Sequence, residues 1–258
     1  MNRVFATTSW KARVGTNLPK VLKCILKQDC RLDSIQVYLS LDEFPNKLDD
    51  LPNELLEVKE SDKRIEFIWT KGNLKSFKRL LSIKNNPNSS LCIYDDDTIF
   101  GPDWLSKGFG NLALNSWVNH SGWINLSCET RDLLYLRHYQ FDPNVPDYYN
   151  TSNGYFINTN NYKDIDLDFE LPVLLGINDD DYYFHMINTI HGIKSIKFNY
   201  FGRKKLLTSP SDMRNTIYTH KAVMEYWMDH DPEMLDRYFT NKLKSIKDRI
   251  RINKVELR

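Results

Sequence analysis

Two runs of carboxylates could carry chemistry in this sequence, Asp95-Asp96-Asp97 and Asp179-Asp180-Asp181. Adjacent carboxylates repel one another, and burying them unpaired is costly, so a buried run needs a cation or hydrogen-bond donors. The first run follows the apolar stretch Leu91-Cys92-Ile93-Tyr94. At the carboxyl end of a buried strand it would form a hard oxygen site, the type that holds Mg²⁺ or Mn²⁺ beside a phosphate. Two such clusters in one chain point to metal-assisted transfer chemistry.

The elements that must position these acids follow from periodicity. Short β-prone runs predict strands at Val4–Thr7, Ser34–Leu41, Ile65–Trp69 and Leu91–Tyr94. Apolar residues at helical spacing predict helices over Pro19–Lys27, Leu51–Val58, Leu74–Ile83 and Trp104–Leu114. Strands alternating with helices imply an α/β fold with a mostly parallel sheet covered on both faces. In such sheets ligands bind beyond the carboxyl ends of the strands. Thr8 and Ser9, Ser40 and Asp42, Lys71, and Asp95 to Asp97 all fall at such ends and should converge. The second half is less regular. Asn150–Asn161, with Gly154 among polar residues, reads as a binding loop, and Asp181–Ile190 as a helix opening with acids. Leu235, Phe239, Leu243, Ile246 and Ile250 keep helical spacing in a segment that also carries Lys242, Lys244, Lys247, Arg249 and Arg251.

The chain of 258 residues is long enough for one large α/β domain. Its formal net charge of +1 gives no argument for nucleic-acid binding. The four cysteines, Cys24, Cys30, Cys92 and Cys128, lack metal-ligand spacing and suggest a reduced, cytoplasmic setting. Met1 to Trp10 has no long apolar stretch, which argues against a signal peptide, and no window approaches the roughly 20 apolar residues of a membrane span.

Three readings compete for the first triplet. A solvated turn is the plainest. Asp95-Asp96-Asp97-Thr98-Ile99 also approaches the Asp-x-Asp-x-Thr pattern of haloacid-dehalogenase aspartyl phosphotransferases, although three strands precede it here and Ile99 replaces a hydroxyl. The third is the Asp-x-Asp motif of nucleotide-sugar glycosyltransferases, where the last Asp holds a divalent cation and the first can contact ribose. Placement after a βαβαβ unit fits the third best.

Several ordered motifs then resemble bacterial GT-A glycosyltransferases of the polysaccharide and lipooligosaccharide type. Phe5-Ala-Thr-Thr-Ser-Trp-Lys-Ala-Arg13 resembles their Leu-Thr-Ser-Tyr-Pro-x-Arg opening, and Ile25-Leu-Lys-Gln28 their Leu-Leu-x-Gln. Ile35 to Pro45 resembles Ile-Ile-Leu-x-Leu-Ser-x-x-Glu-Phe-Pro, and Lys75-Ser-Phe-Lys78 resembles Lys-Ser-Tyr-Lys. Tyr94 to Asp97 followed by Pro102-Asp-Trp-Leu105 matches Asp-Asp-Asp…Pro-x-Trp-Leu. Asn178 to Tyr183 resembles Ala-Asp-Asp-Ile-Trp-Phe, with Asp181 and Tyr182 departing from it. The likeness covers roughly residues 3–200.

The resemblance implies a GT-A domain over 1–200, with a nucleotide-sugar-binding half at 1–115 and an acceptor-binding half at 116–200. A C-terminal helical extension would occupy 201–258. It implies a nucleotide-sugar donor, a UDP-sugar by expectation, a saccharide or lipid-linked saccharide acceptor, and an inverting single displacement. Donor contacts fall to Thr8, Ser9, Arg13, Asp42, Lys78, Asp95 and Asp96. Ligation of Mn²⁺ or Mg²⁺ falls to Asp97 and Asp95, and the general base to Asp180 or Asp179. His185, His191 and His220 are further candidate ligands, and Trp104, Trp123 and Tyr155 candidate sugar platforms, with core packing the favoured reading for Trp104. The basic C-terminal segment would either lie on an anionic membrane or pack on the domain as a solvated helix. A non-catalytic carbohydrate-binding protein of the same fold is the other alternative.

Overall fold

The computed structural model describes residues 1–119, 154–174, 180–198, 200, 202–206, 226–227, 229–234, 236–238 and 240–241. The chain begins β1 (Asn2–Thr8), α1 (Leu18–Ile25), β2 (Ser34–Ser40), α2 (Asn53–Ser61) and β3 (Ile65–Thr70). A 3-10 segment (Lys75–Leu80) runs directly into α3 (Leu81–Asn85), followed by β4 (Ser89–Tyr94), β5 (Thr98–Phe100) and α4 (Trp104–Gly110). Then come β6 (Ser116–Asn119), β7 (Gly154–Asn158), α5 (Glu170–Leu174), α6 (Asp180–Ile190), β8 (Lys194–Lys197) and β9 (Arg203–Lys205).

Among the described residues the main sheet has seven strands in the order β3-β2-β1-β4-β7-β6-β8. Every neighbouring pair is parallel except those made by β7, which runs antiparallel to both β4 and β6. Successive side chains of a strand leave on opposite faces. Val4 and Ala6 of β1 and Leu91 and Ile93 of β4 therefore enter one apolar layer. Phe5, Cys92 and Tyr94 enter the other, together with Leu18, Val21, Leu22 and Ile25 of α1. Each fully buried aliphatic or aromatic side chain contributes about 1.5–3 kcal/mol, which fixes the register of these strands.

The predicted Leu74–Ile83 helix is a 3-10 segment continued by one short α-helix. The reason lies in its apolar residues: Leu74, Phe77, Leu80 and Ile83 are spaced by three, the period of the 3-10 helix. The predicted binding loop at Asn150–Asn161 is corrected more sharply. Gly154–Asn158 is a strand inside the sheet, and Tyr155, Phe156 and Ile157 are buried. Gly154 sits at φ +112°, and a Cβ there would lie 1.9 Å from the Ile93 carbonyl oxygen, so the close pairing with β4 needs glycine.

The sheet contains strands from both sides of residue 115. A second, two-stranded sheet pairs β5 with β9, joining the residues just after the first acidic triplet to residues 203–205. Trp227 and Tyr238, from the helical turns within 226–241, enter the same apolar layer as α6. The Asn241 side-chain amide donates to the Ile190 carbonyl at 2.9 Å. The basic residues from Lys242 onward lie outside the described residues. Among the described residues no helix is long and apolar enough to cross a membrane.

Candidate active site

The strand order reverses at β1: β2 lies on one side of it and β4 on the other. Connections leaving a parallel sheet in opposite directions open a crevice beyond the carboxyl ends of the two strands. Ser9 closes β1 at that crevice, and the Asp95–Asp97 run closes β4.

The three acids turn three ways. Asp96 is buried and accepts from the Ser9 hydroxyl and from Arg13 Nη1 at 3.0 Å. Arg13 also reaches Asp97 Oδ2 at 3.2 Å. The Thr98 hydroxyl donates to Asp97 Oδ1 at 3.1 Å, and the Leu206 amide donates to the Asp97 carbonyl at 2.6 Å. Asp95 turns the other way and pairs with Arg79 Nη1. Burial pushes the Asp96 carboxyl above the ordinary range, opposed by the Ser9 bond and the Arg13 charge.

Arg79 is the centre of the second half of the site. It is only 2% exposed. Its Nε donates to Asp180 Oδ2 at 2.7 Å and its Nη2 to Asp181 Oδ1 at 2.9 Å, while Nη1 serves Asp95. Burial alone would weaken its charge, but Asp180, Asp95 and Asp181 more than offset that and hold its pKa well above the usual value. Asp180 and Asp181 form the first turn of α6, where the helix dipole also favours negative charge. Tyr155 stacks on Phe184 of α6 at 4.5 Å. Its buried hydroxyl has no hydrogen-bond partner among the described residues. Burial, with the Asp180 charge adding to it, pushes that hydroxyl well above its usual pKa.

Lys78 ties the other strand ends together. Its Nζ reaches Glu43 at 3.1 Å, the Ser9 carbonyl at 3.4 Å and Asn73 Oδ1 at 3.5 Å, which are contacts to the segments after β2, β1 and β3. Burial lowers its pKa, and Glu43 works against that.

The predicted residues therefore divide. Ser9, Arg13, Asp96 and Asp97 meet directly, and Asp95 joins Asp180 through Arg79. Thr8 commits its hydroxyl to the Tyr38 carbonyl at 2.8 Å, bridging β1 and β2. Asp42 is exposed at the mouth after β2. Lys78, expected to face a phosphate, is buried among protein oxygens instead, because its position lies on the inward face of the 3-10 segment. Tyr155, expected as a sugar platform, is fully buried; Trp104 is in the core, as its alternative reading had it, and stacks on Phe100 at 3.9 Å. His185 is buried on α6 and His191 is exposed just after it. Asp179, Trp123 and His220 lie outside the described residues.

Sequence reasoning missed Arg79 and Asn73. The available signal for Arg79 was two consecutive cations, Lys78-Arg79, set between the apolar Phe77 and Leu80. Asp95, Asp96, Asp97, Asp180 and Asp181 are gathered around two guanidinium groups, those of Arg13 and Arg79. Among the described residues no three His, Cys, Asp or Glu side chains are grouped to hold a metal ion by themselves. Mg²⁺ and Mn²⁺ do not require such a cage: one or two carboxylates plus substrate phosphates suffice. Asp97 and Asp95 are hard oxygen donors of the kind that mode uses, and they turn to different partners, Arg13 and Arg79.

No family model matches the sequence, and no curated protein matches it. Solved structures do. The chain is similar to the mannosyltransferase PcManGT from Pyrobaculum calidifontis in complex with GDP-Man and Mn2+, with TM-score 0.51 and 13% identity over 91% of this chain and 64% of that chain. It is also similar to S. aureus TarS 1-349 in complex with UDP, with TM-score 0.47 and 11% identity over 92% of this chain and 68% of that one. For mouse xyloside xylosyltransferase 1 in its apo form the values are 0.46 and 10%, over 77% of this chain and 85% of that one. The likeness to the mannosyltransferase carries the comparison. At that identity it establishes the fold alone, the α/β fold that this chain shares with that structure.

Proposed function

We propose that this chain is a metal-dependent glycosyltransferase that moves a sugar from a nucleotide-diphosphate donor to a saccharide or lipid-linked saccharide acceptor. The observation that carries this reading is the acidic crevice at the β1/β4 reversal, where Ser9, Arg13 and Asp95 to Asp97 converge. The shared fold with a mannosyltransferase solved with GDP-Man and Mn2+ supports it.

In this reading Asp97 and Asp95 hold Mn²⁺ or Mg²⁺, which when bound offsets charge on the departing diphosphate. Arg13, whose Nη1 is 3.2 Å from Asp97 Oδ2, would share that task. Asp42, exposed at the mouth, contacts the base or ribose. The Asp179–Asp180 pair supplies the general base, with Asp180 favoured. The acceptor oxygen bonds to the anomeric carbon, the bond from that carbon to the diphosphate oxygen breaks, and its electron pair leaves with the diphosphate. The hydroxyl proton passes late to the carboxylate, which suits a weak base. A single displacement of this kind inverts the anomeric centre. Lys78 builds the pocket by fixing Ser9, Glu43 and Asn73, and does not neutralise phosphate.

A thermal-shift screen of UDP- and GDP-sugars with and without Mn²⁺ tests the reading. A donor at about 100 times its Kd stabilises by about 2.7 kcal/mol. For a chain of this size that raises Tm by roughly 5–10 °C. Asp97→Ala should keep its fold and lose the Mn²⁺-dependent part of the shift. Tight donor binding by Asp97→Ala that a chelator leaves unchanged would overturn the metal role. No shift with any donor would overturn the transferase.

A further inference from the structure

We propose that Arg79 is a positioning residue that ties the donor-side carboxylate Asp95 to the first turn of α6, and so fixes the base relative to the bond being broken. The inference rests on the transferase reading above. Its geometric ground is independent of any ligand. The three nitrogen positions of one guanidinium each meet a different carboxylate, from β4's end on one side and α6's start on the other. Asp180 and Asp181 are 101 and 102 positions from Arg79 in sequence, so the contact joins distant parts of the chain.

Helix capping alone does not account for this arrangement. Acids in the first turn of α6 already suit the helix dipole, and they could do so facing water. Asp180 is instead only 3% exposed and Arg79 2%. Burying these charges is justified only while all partners stay in register, because removing one leaves an uncompensated buried charge. Two other contacts of the helix start are of another kind. Tyr183 donates its hydroxyl to the Asp168 carbonyl at 2.9 Å, and Phe184 packs in the apolar layer. These hold the helix to the core, whereas Arg79 links it to the triplet. A lysine cannot replace the fork, since an ammonium is a point charge without fixed planar geometry.

Arg79→Lys keeps the charge and removes the fork. Misplacing a reacting group by about 1 Å costs on the order of a hundredfold in rate. Turnover per donor-binding site, counted by titration with the nucleotide sugar found in the screen, should therefore fall about a hundredfold, with donor Kd held within about threefold. Hydrogen exchange at residues 181–184 should accelerate at least about tenfold, because that turn opens locally. A purely structural arginine would lower Tm without changing turnover per site. Turnover within about threefold of wild type, or unchanged exchange at 181–184, overturns the proposal. Should Arg79→Lys fail to fold, Asp181→Asn serves: its side chain is partly exposed, and it loosens one arm only. About tenfold slower turnover and faster exchange in the same turn are then expected, and wild-type values for both overturn the proposal. The wild-type donor screen keeps the two ideas apart. Failure there removes the transferase, whereas unchanged exchange in the variants removes the Arg79 tie.

Discussion

Asp95, Asp96 and Asp97 are neighbours in sequence and yet serve three different surroundings. Asp96 is enclosed by Ser9 and Arg13, Asp97 lies between Arg13 and Thr98, and Asp95 faces Arg79. The acids themselves were legible, because runs of like charge after an apolar stretch are rare and chemically pointed. Their partners were not. Nothing local marks Arg79, whose bonds to α6 span about a hundred positions, and a cation beside an apolar stripe usually reads as solvated. A test at this scale concerns Tyr155. Its buried hydroxyl lacks a hydrogen-bond partner among the described residues. An unsatisfied buried polar group costs stability, so Tyr155→Phe should leave stability unchanged or raise it by up to about 1 kcal/mol. Urea denaturation reads this as a higher midpoint with an unchanged slope. A loss above about 1 kcal/mol would show that the hydroxyl has a partner that matters.

Among the elements, the first four strands were legible to within about two residues at each end, because period-two burial against two apolar layers leaves few alternatives. The 3-10 segment was misread because spacings of three and of three-to-four overlap over ten residues. Strand β7 was missed for a different reason. Its apolar run, Tyr155 to Ile157, is short, and the Asn- and Ser-rich residues before it signal a turn. Only pairing with β4 makes it a strand, and pairing is not local information. Gly154 gives that pairing a direct test. Its positive φ and the Ile93 carbonyl 1.9 Å from any Cβ leave no room for alanine. Gly154→Ala should cost roughly 3 kcal/mol or more and lower Tm by roughly 6–12 °C. Gly110→Ala is the control, because nothing lies within 4 Å of a Cβ there and its φ is unremarkable. A tolerant Gly154→Ala would mean that β7 does not sit against β4 as described.

At the scale of the molecule, β1 and β4 lie inside the sheet with partners on both sides, and among the described residues β3 and β8 are its edges. Native-state hydrogen exchange should therefore be slowest in β1 and β4 and faster in β3 and β8. Edge strands exchanging as slowly as β1 would contradict this gradient. The main sheet also explains why the crevice is composite: its floor comes from early strands, and its far wall from α6. One further link reaches later still. The Asp97 carbonyl accepts from the Leu206 amide, and β9 pairs with β5 beside it. On a ribosome, the residues of β1 to β4 emerge well before Leu206 does. A nascent chain halted near residue 120 would hold the acidic triplet without the strand that braces it, and without the helix that Arg79 grips. Closing such distant contacts carries loop entropy that slows folding. The site would be completed late in synthesis, so that a truncated product would carry the triplet in an unfinished setting.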